Sequence, residues 1–228
     1  MAGGVAAPPN RGLLVGVGSV MAVSLLVLTV NAASPSDGIQ LLTTLGQRLR
    51  SRPVWTAAYK QQYVAAGMSS GERVAGRVWL GWPDRALFVT GDPPLRVMGL
   101  EGRHVRLLDN EMATCEEHEL TDQEWQRIPL MAVLDPASAV DRFFVSSPGS
   151  RRLALAPRTP GGVARVEMLL GPDGMPATVT VIDPQGARNR FEFADWRGAT
   201  GPPGGTWLPV PSQGVTCDKL DDRPPDPG

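Results

Sequence analysis

Apolar side chains recur at every second position along much of this chain, in short runs closed by glycine and proline. That period belongs to strands. Most of the 26 glycines and 22 prolines stand between the runs, where turns need them. From Arg73 to Leu80, Val74, Gly76, Val78 and Leu80 share one face, and Arg73, Ala75, Arg77 and Trp79 take the other. Trp55–Val64 reads as a strand before it. Arg85–Thr90, Leu95–Leu100, Arg103–Leu108 and Glu111–Glu119 read as strands after it, broken at Gly91-Asp-Pro-Pro94 and Glu101-Gly102. The period returns in Arg152–Ala156, Gly162–Leu170, Ala177–Ile182 and Asn189–Ala194. There Leu153 and Leu155 pair on one face, as do Val166, Met168 and Leu170, Val179 and Val181, and Phe191 and Phe193. Gly171-Pro-Asp-Gly174 and Asp183-Pro-Gln-Gly186 are hairpin turns. Thr206–Val210 reads as a final strand and 223–228 as a flexible tail.

Two regions keep a helical period instead. Ser36 or Asp37 caps a helix in which Ile39, Leu42, Leu45 and Leu49 recur, ended by Arg52-Pro53. In the middle, Thr121 caps a short turn, Pro129 opens a second segment before Pro136, and Ser138–Phe144 continues helically. The sum is about ten antiparallel strands with helices at the front and in the middle. With no repeat and no linker, residues 34–222 form one domain of the mainly β (α+β) class, a single curved sheet with helices over one face. Patterning alone favours a filled core over an apolar hollow. Few helical segments are available to cover the apolar face, however, and that leaves the hollow as the alternative.

The chain starts as an exported protein does. Arg11 precedes an uncharged stretch, Gly12–Val30, and small residues follow, with a cleavage triplet at Val30-Asn31-Ala32. Residues 1–33 are thus expected to be a signal peptide. A retained anchor competes, because the stretch is close to the roughly 20 residues that span a bilayer. In an oxidising compartment Cys115 and Cys217, the only two cysteines, either pair or stay separate, and spacing does not decide between them. A net charge of −1 gives no reason to expect nucleic acid as a partner. Glu116-Glu117-His118-Glu119 reads as a solvated strand, since two histidines without ligand spacing make no metal site. No cofactor is expected.

The order of these segments resembles the periplasmic outer-membrane lipoprotein carrier family, LolA, along Asp37–Asp221. The resemblance is carried by the leading helix, by Gly76-Arg-Val-Trp-Leu80 with the turn Trp82-Pro83, and by the segment from Pro93 to Asp109. It continues through Ile128-Pro129-Leu-Met-Ala-Val-Leu134, Val166–Gly174 and Leu208–Val215. It implies an incomplete antiparallel β-barrel closed by a helical lid over a hydrophobic cavity, acting as a monomer. The implied cargo is an acylated lipoprotein, received from an inner-membrane transporter and passed to an outer-membrane acceptor. Carried over to this sequence, Val78, Leu80, Trp82 and Phe88 would line the pocket, and Leu130, Met131, Val133 and Leu134 would form the lid. The sequence departs from the family at Trp82, where the resemblance implies an arginine that holds the lid.

Three functions compete on these grounds. The first is a periplasmic carrier of acyl chains, and the second is an anchored lipid- or lipoprotein-sensing regulator of the same fold. The third, an exported hydrolase, is disfavoured: the mature chain carries no G-x-S-x-G and no H-E-x-x-H. The chain is therefore expected not to be an enzyme.

Overall fold

The computed structural model describes residues 35–127 and 136–219. The stretch Gly12–Val30, the lid residues Leu130, Met131, Val133 and Leu134, and the tail 223–228 lie outside the described residues.

Helix α1 (Pro35–Arg50) places Asp37 in its first turn and Arg48 and Arg50 in its last, each sign matching the helix dipole. Leu42, Leu45 and Leu49 are buried on its inner side. The chain then turns, and Trp55 anchors the next strand by donating its indole N–H to the Leu49 carbonyl at 2.9 Å. Six strands follow: β1 (Val54–Val64), β2 (Glu72–Gly81), β3 (Arg85–Thr90), β4 (Arg96–Glu101), β5 (His104–Asp109) and β6 (Thr114–Glu119). Helix α2 (Asp122–Arg127) is started by a reciprocal cap. The Glu124 carboxylate accepts from the Thr121 N–H and hydroxyl, and Thr121 Oγ1 accepts from the Glu124 N–H.

After helix α3 (Pro136–Arg142) come β7 (Phe143–Gly149), β8 (Arg152–Pro157), β9 (Arg165–Leu170), β10 (Pro176–Ile182), β11 (Arg188–Gly198) and β12 (Cys217–Lys219). All twelve join one sheet in the order β12-β6-β5-β4-β3-β2-β1-β11-β10-β9-β8-β7. β1–β6 and β7–β11 are each a meander, and the two meet where β1 pairs with β11. The sheet does not close: β12 and β7 are its ends.

Two readings of the sequence are corrected here. The helical reading of Ser138–Phe144 stops at Arg142, because Phe143 and Val145 turn inward on alternate positions and pair with β8. Thr206–Val210 is not a strand. The segment after β11 runs as a strap over the outer face of the sheet. Ala199 donates to the Val54 carbonyl at 3.0 Å, and Trp207 packs with Val54 and Leu87, flanked by Trp79, Val89 and Val97. Arg106 then donates to the Pro209 carbonyl at 2.9 Å. The strap lies so close that a Cβ on Gly81 would stand 2.6 Å from the Trp207 ring, and one on Gly99 would strike the Trp207 carbonyl. It ends in β12, which lies parallel to β6, with Cys217 bonded to Cys115 across a Cα separation of 4.4 Å.

Candidate functional site

The inner face of the sheet is laid out in rows by strand register. Ala57, Val78, Phe88, Met98 and Leu107 stand side by side across β1–β5, and Trp55, Leu80, Ala86, Leu100 and Val105 form the next row. On the other half, Phe191, Val179 and Met168 align across β11, β10 and β9. Phe88, Met98, Val105, Val179, Phe191 and Trp196 belong to the lining of one cavity of about 370 Å³. This falls within the roughly 300–1,000 Å³ of small-molecule sites. Every described lining residue is apolar.

The shared cavity measures the curvature. Val105 on β5 and Met168 on β9 are seven strand spacings apart in the sheet order, roughly 34 Å if it lay flat. Both line the same space, so the sheet curls into most of a barrel. Helix α1 closes one end through Leu49, which also joins the lining. An aromatic series runs along the inner wall, with ring centroids 5.7 Å apart for Tyr59 and Phe88, 6.1 Å for Phe191 and Phe193, and 5.3 Å for Phe193 and Trp196. Burial raises the pKa of Tyr59, opposed by the hydrogen bond between its hydroxyl and Thr90 Oγ1 at 2.5 Å. The phenol therefore stays neutral in the wall.

Of the four sheet residues proposed for the pocket, Val78, Leu80 and Phe88 line this cavity, and Trp82 does not. The β2–β3 turn, with its cis Trp82-Pro83 bond, carries Trp82 past the end of the strand. There the Arg50 guanidinium of α1 covers its ring at 5.1 Å. The turn is thus held to a helix by a cation over an aromatic face, where the resemblance implied an arginine. Inner-face residues on β4, β5 and β9–β11 also contribute to the lining. Their alternation was visible in the sequence, but their convergence on one space was not.

Trp196 was missed for a specific reason. Alternation from Phe191 and Phe193 would turn Asp195 inward, but the β1–β11 register slips between Thr56 and Ala58, and Asp195 takes φ 58°. This bulge sends Trp196 into the cavity instead, its indole N–H donating to the Pro176 carbonyl at 2.8 Å.

His118 meets Glu124 at 3.2 Å. Among the described residues no group of three or more His, Cys, Asp or Glu side chains is placed to hold a metal. The arrangement offers an apolar, curved wall for a hydrophobic ligand.

A half-closed antiparallel barrel around an apolar cavity, with a helix across one end, is the class that this fold and site define. The sequence model of "Outer membrane lipoprotein carrier protein LolA" matches residues 53–204. The chain belongs to that family. The match is narrower than Asp37–Asp221 and stops short of most of the strap. No curated protein matches the sequence. Among solved structures, the chain is similar to a LolA superfamily protein from Nitrosomonas europaea, at 8% identity and TM-score 0.40, covering 72% of this chain and 94% of that one. It is similar to a chain of the MucA/MucB complex of Pseudomonas aeruginosa at 17% identity and TM-score 0.43, covering 74% and 59%. It is also similar to lipoprotein LppX of Mycobacterium tuberculosis at 8% identity and TM-score 0.37, covering 74% and 99%. The family assignment rests on the sequence model and not on these distant likenesses.

Proposed function

We propose that this protein is an exported, periplasmic carrier that shelters acyl chains of lipoproteins between an inner-membrane transporter and an outer-membrane acceptor. The observation that carries the reading is the apolar cavity that described residues of both halves of the sheet line together. Each CH₂ kept from water contributes about 0.8 kcal/mol, so an acylated ligand crossing an aqueous gap needs such a wall. Family membership supports the choice of cargo. The role is binding, without a catalytic step, and Leu130, Met131, Val133 and Leu134 are the proposed cover.

Native mass spectrometry of the protein purified from its host envelope, without detergent, tests the reading. The expected result is a bound acylated species. Protein that carries no lipid and also fails to bind a palmitoylated peptide added in vitro would exclude the carrier role. The same spectra give the mass of the N-terminus: loss of residues 1–33 fits a shuttle, whereas a retained stretch transfers the reading to the anchored, lipid-sensing regulator.

A further inference from the structure

Along β1 the inward side chains run Trp55, Ala57, Tyr59, Gln61, Tyr63, passing from apolar to polar. The neighbouring strands repeat the gradient. Tyr59 lies beside Phe193 of β11, Gln61 beside Phe191, and Tyr63 beside Asn189 and, on β2, Glu72. These polar residues bound a second cavity of about 290 Å³. The two spaces are continuous, since Phe88, Met98 and Phe191 line both. Met98 is 41% exposed, so the junction is reached from solvent.

The charges gathered at this second cavity come to −1, one guanidinium against two carboxylates. Among the described residues its one lining cation, Arg96, bonds Asp109 at 2.9 Å and faces Glu72 at 3.7 Å. What remains is amide and hydroxyl. Gln61 Nε2 donates to Asn189 Oδ1 at 2.9 Å, which leaves the Gln61 carbonyl oxygen to accept and the Asn189 amide nitrogen to donate. A ligand amide finds a partner there for both its N–H and its carbonyl. A phosphate would meet an arginine already paired with two carboxylates, and like charge beside it disfavours an anion there.

We infer that the second cavity seats the polar part of an amphiphile whose acyl chain lies in the first. We infer further that Gln61 and Asn189 make it select an uncharged, amide-bearing head, as at the acylated end of a peptide, over an anionic phosphate head. This rests on the acyl-sheltering reading and adds the head to it.

The test measures binding of the purified full chain to two probes with the same tail, an N-palmitoyl dipeptide amide and palmitoyl-lysophosphatidylglycerol, by tryptophan fluorescence. The amide probe is expected to bind about tenfold tighter, the worth of two neutral hydrogen bonds. Gln61→Leu with Asn189→Leu is expected to remove that advantage while holding the lysophospholipid affinity within about twofold. Equal affinities in the unaltered protein would overturn the selection of the head and leave acyl sheltering standing, whether or not the variant folds. A preference that survives in the folded double variant would also overturn it. Binding of neither probe would end both readings.

Discussion

Single residues settle two matters that the pattern leaves open. Asp195, in a left-handed conformation that aspartate tolerates better than most residues, sets the one-residue offset that places Trp196 in the cavity wall. Asp109 settles how the far side of the second cavity is braced. One of its carboxylate oxygens accepts from the backbone N–H groups of Glu111 and Met112, and the other from Arg96. The backbone bond from Met112, then the Arg96 side chain, lower its pKa below the usual carboxylate range. A carboxylate whose pKa is depressed by folding adds stability that is present above about pH 3.9 and lost as pH falls through the lower folded value. Asp109→Asn is therefore expected to lower the melting temperature at pH 6, with the gap from the unaltered protein closing toward about pH 2. Thermal melts across that range check this, and a gap independent of pH would refute it. Nothing in the sequence announced either role. A bulge needs no special residue, and an aspartate at a strand end has the same spelling whether or not it braces a turn.

At the scale of elements, the strap from Ala199 to β12 is the feature that alternation could not reveal. Thr206–Val210 has a strand-like composition, yet it lies on the outer face of β2–β5 and fills its contacts with Trp207. The Arg85 guanidinium covers that ring at 5.1 Å. β12 is only three residues long and parallel to β6, so no period could mark it. The strands of the two meanders were legible because each buries one face and must alternate. Phe143 and Phe144 were read as helix because they follow a helical run without a breaker. The strap is pinned at its end by Cys115–Cys217, which spans 102 residues of sequence. Closing a loop of that size restricts the unfolded chain, a contribution of about 2–4 kcal/mol. Cys115→Ser with Cys217→Ser should lower the denaturation midpoint accordingly, and freeing Trp207 should raise acrylamide quenching of tryptophan fluorescence. A variant with unchanged stability and quenching would show that the strap holds without its bond.

At the scale of the whole sheet, the described residues leave a wall of apolar side chains facing a cavity, where a protein selected for stability alone would bring them into contact. Periodicity tells which face of each strand is apolar, and it is silent on what that face meets. The sequence therefore marked Val179 with Val181, and Phe191 with Phe193, each pair as one face of its own strand, while patterning alone favoured a filled core. The outcome depends on the curl of the sheet over many strands, a property of the assembled barrel. If the space is kept for a ligand, filling it should trade binding for stability. Val179 lies mid-wall, beside Phe191 and Met168, so Val179→Trp projects an indole into the cavity. The variant is expected to keep its sheet by circular dichroism and to melt no lower than the unaltered protein, since the new ring gains contacts without displacing packed neighbours. A palmitoylated peptide at about a hundred times its dissociation constant should stabilise the unaltered protein by about 2.7 kcal/mol, and this shift should vanish in the variant. A variant that loses stability while its ligand shift persists would mean that the ring is accommodated elsewhere and the cavity is ordinary packing slack. Loss of the shift alone would identify the inner wall of the sheet as the place where the acyl chain lies.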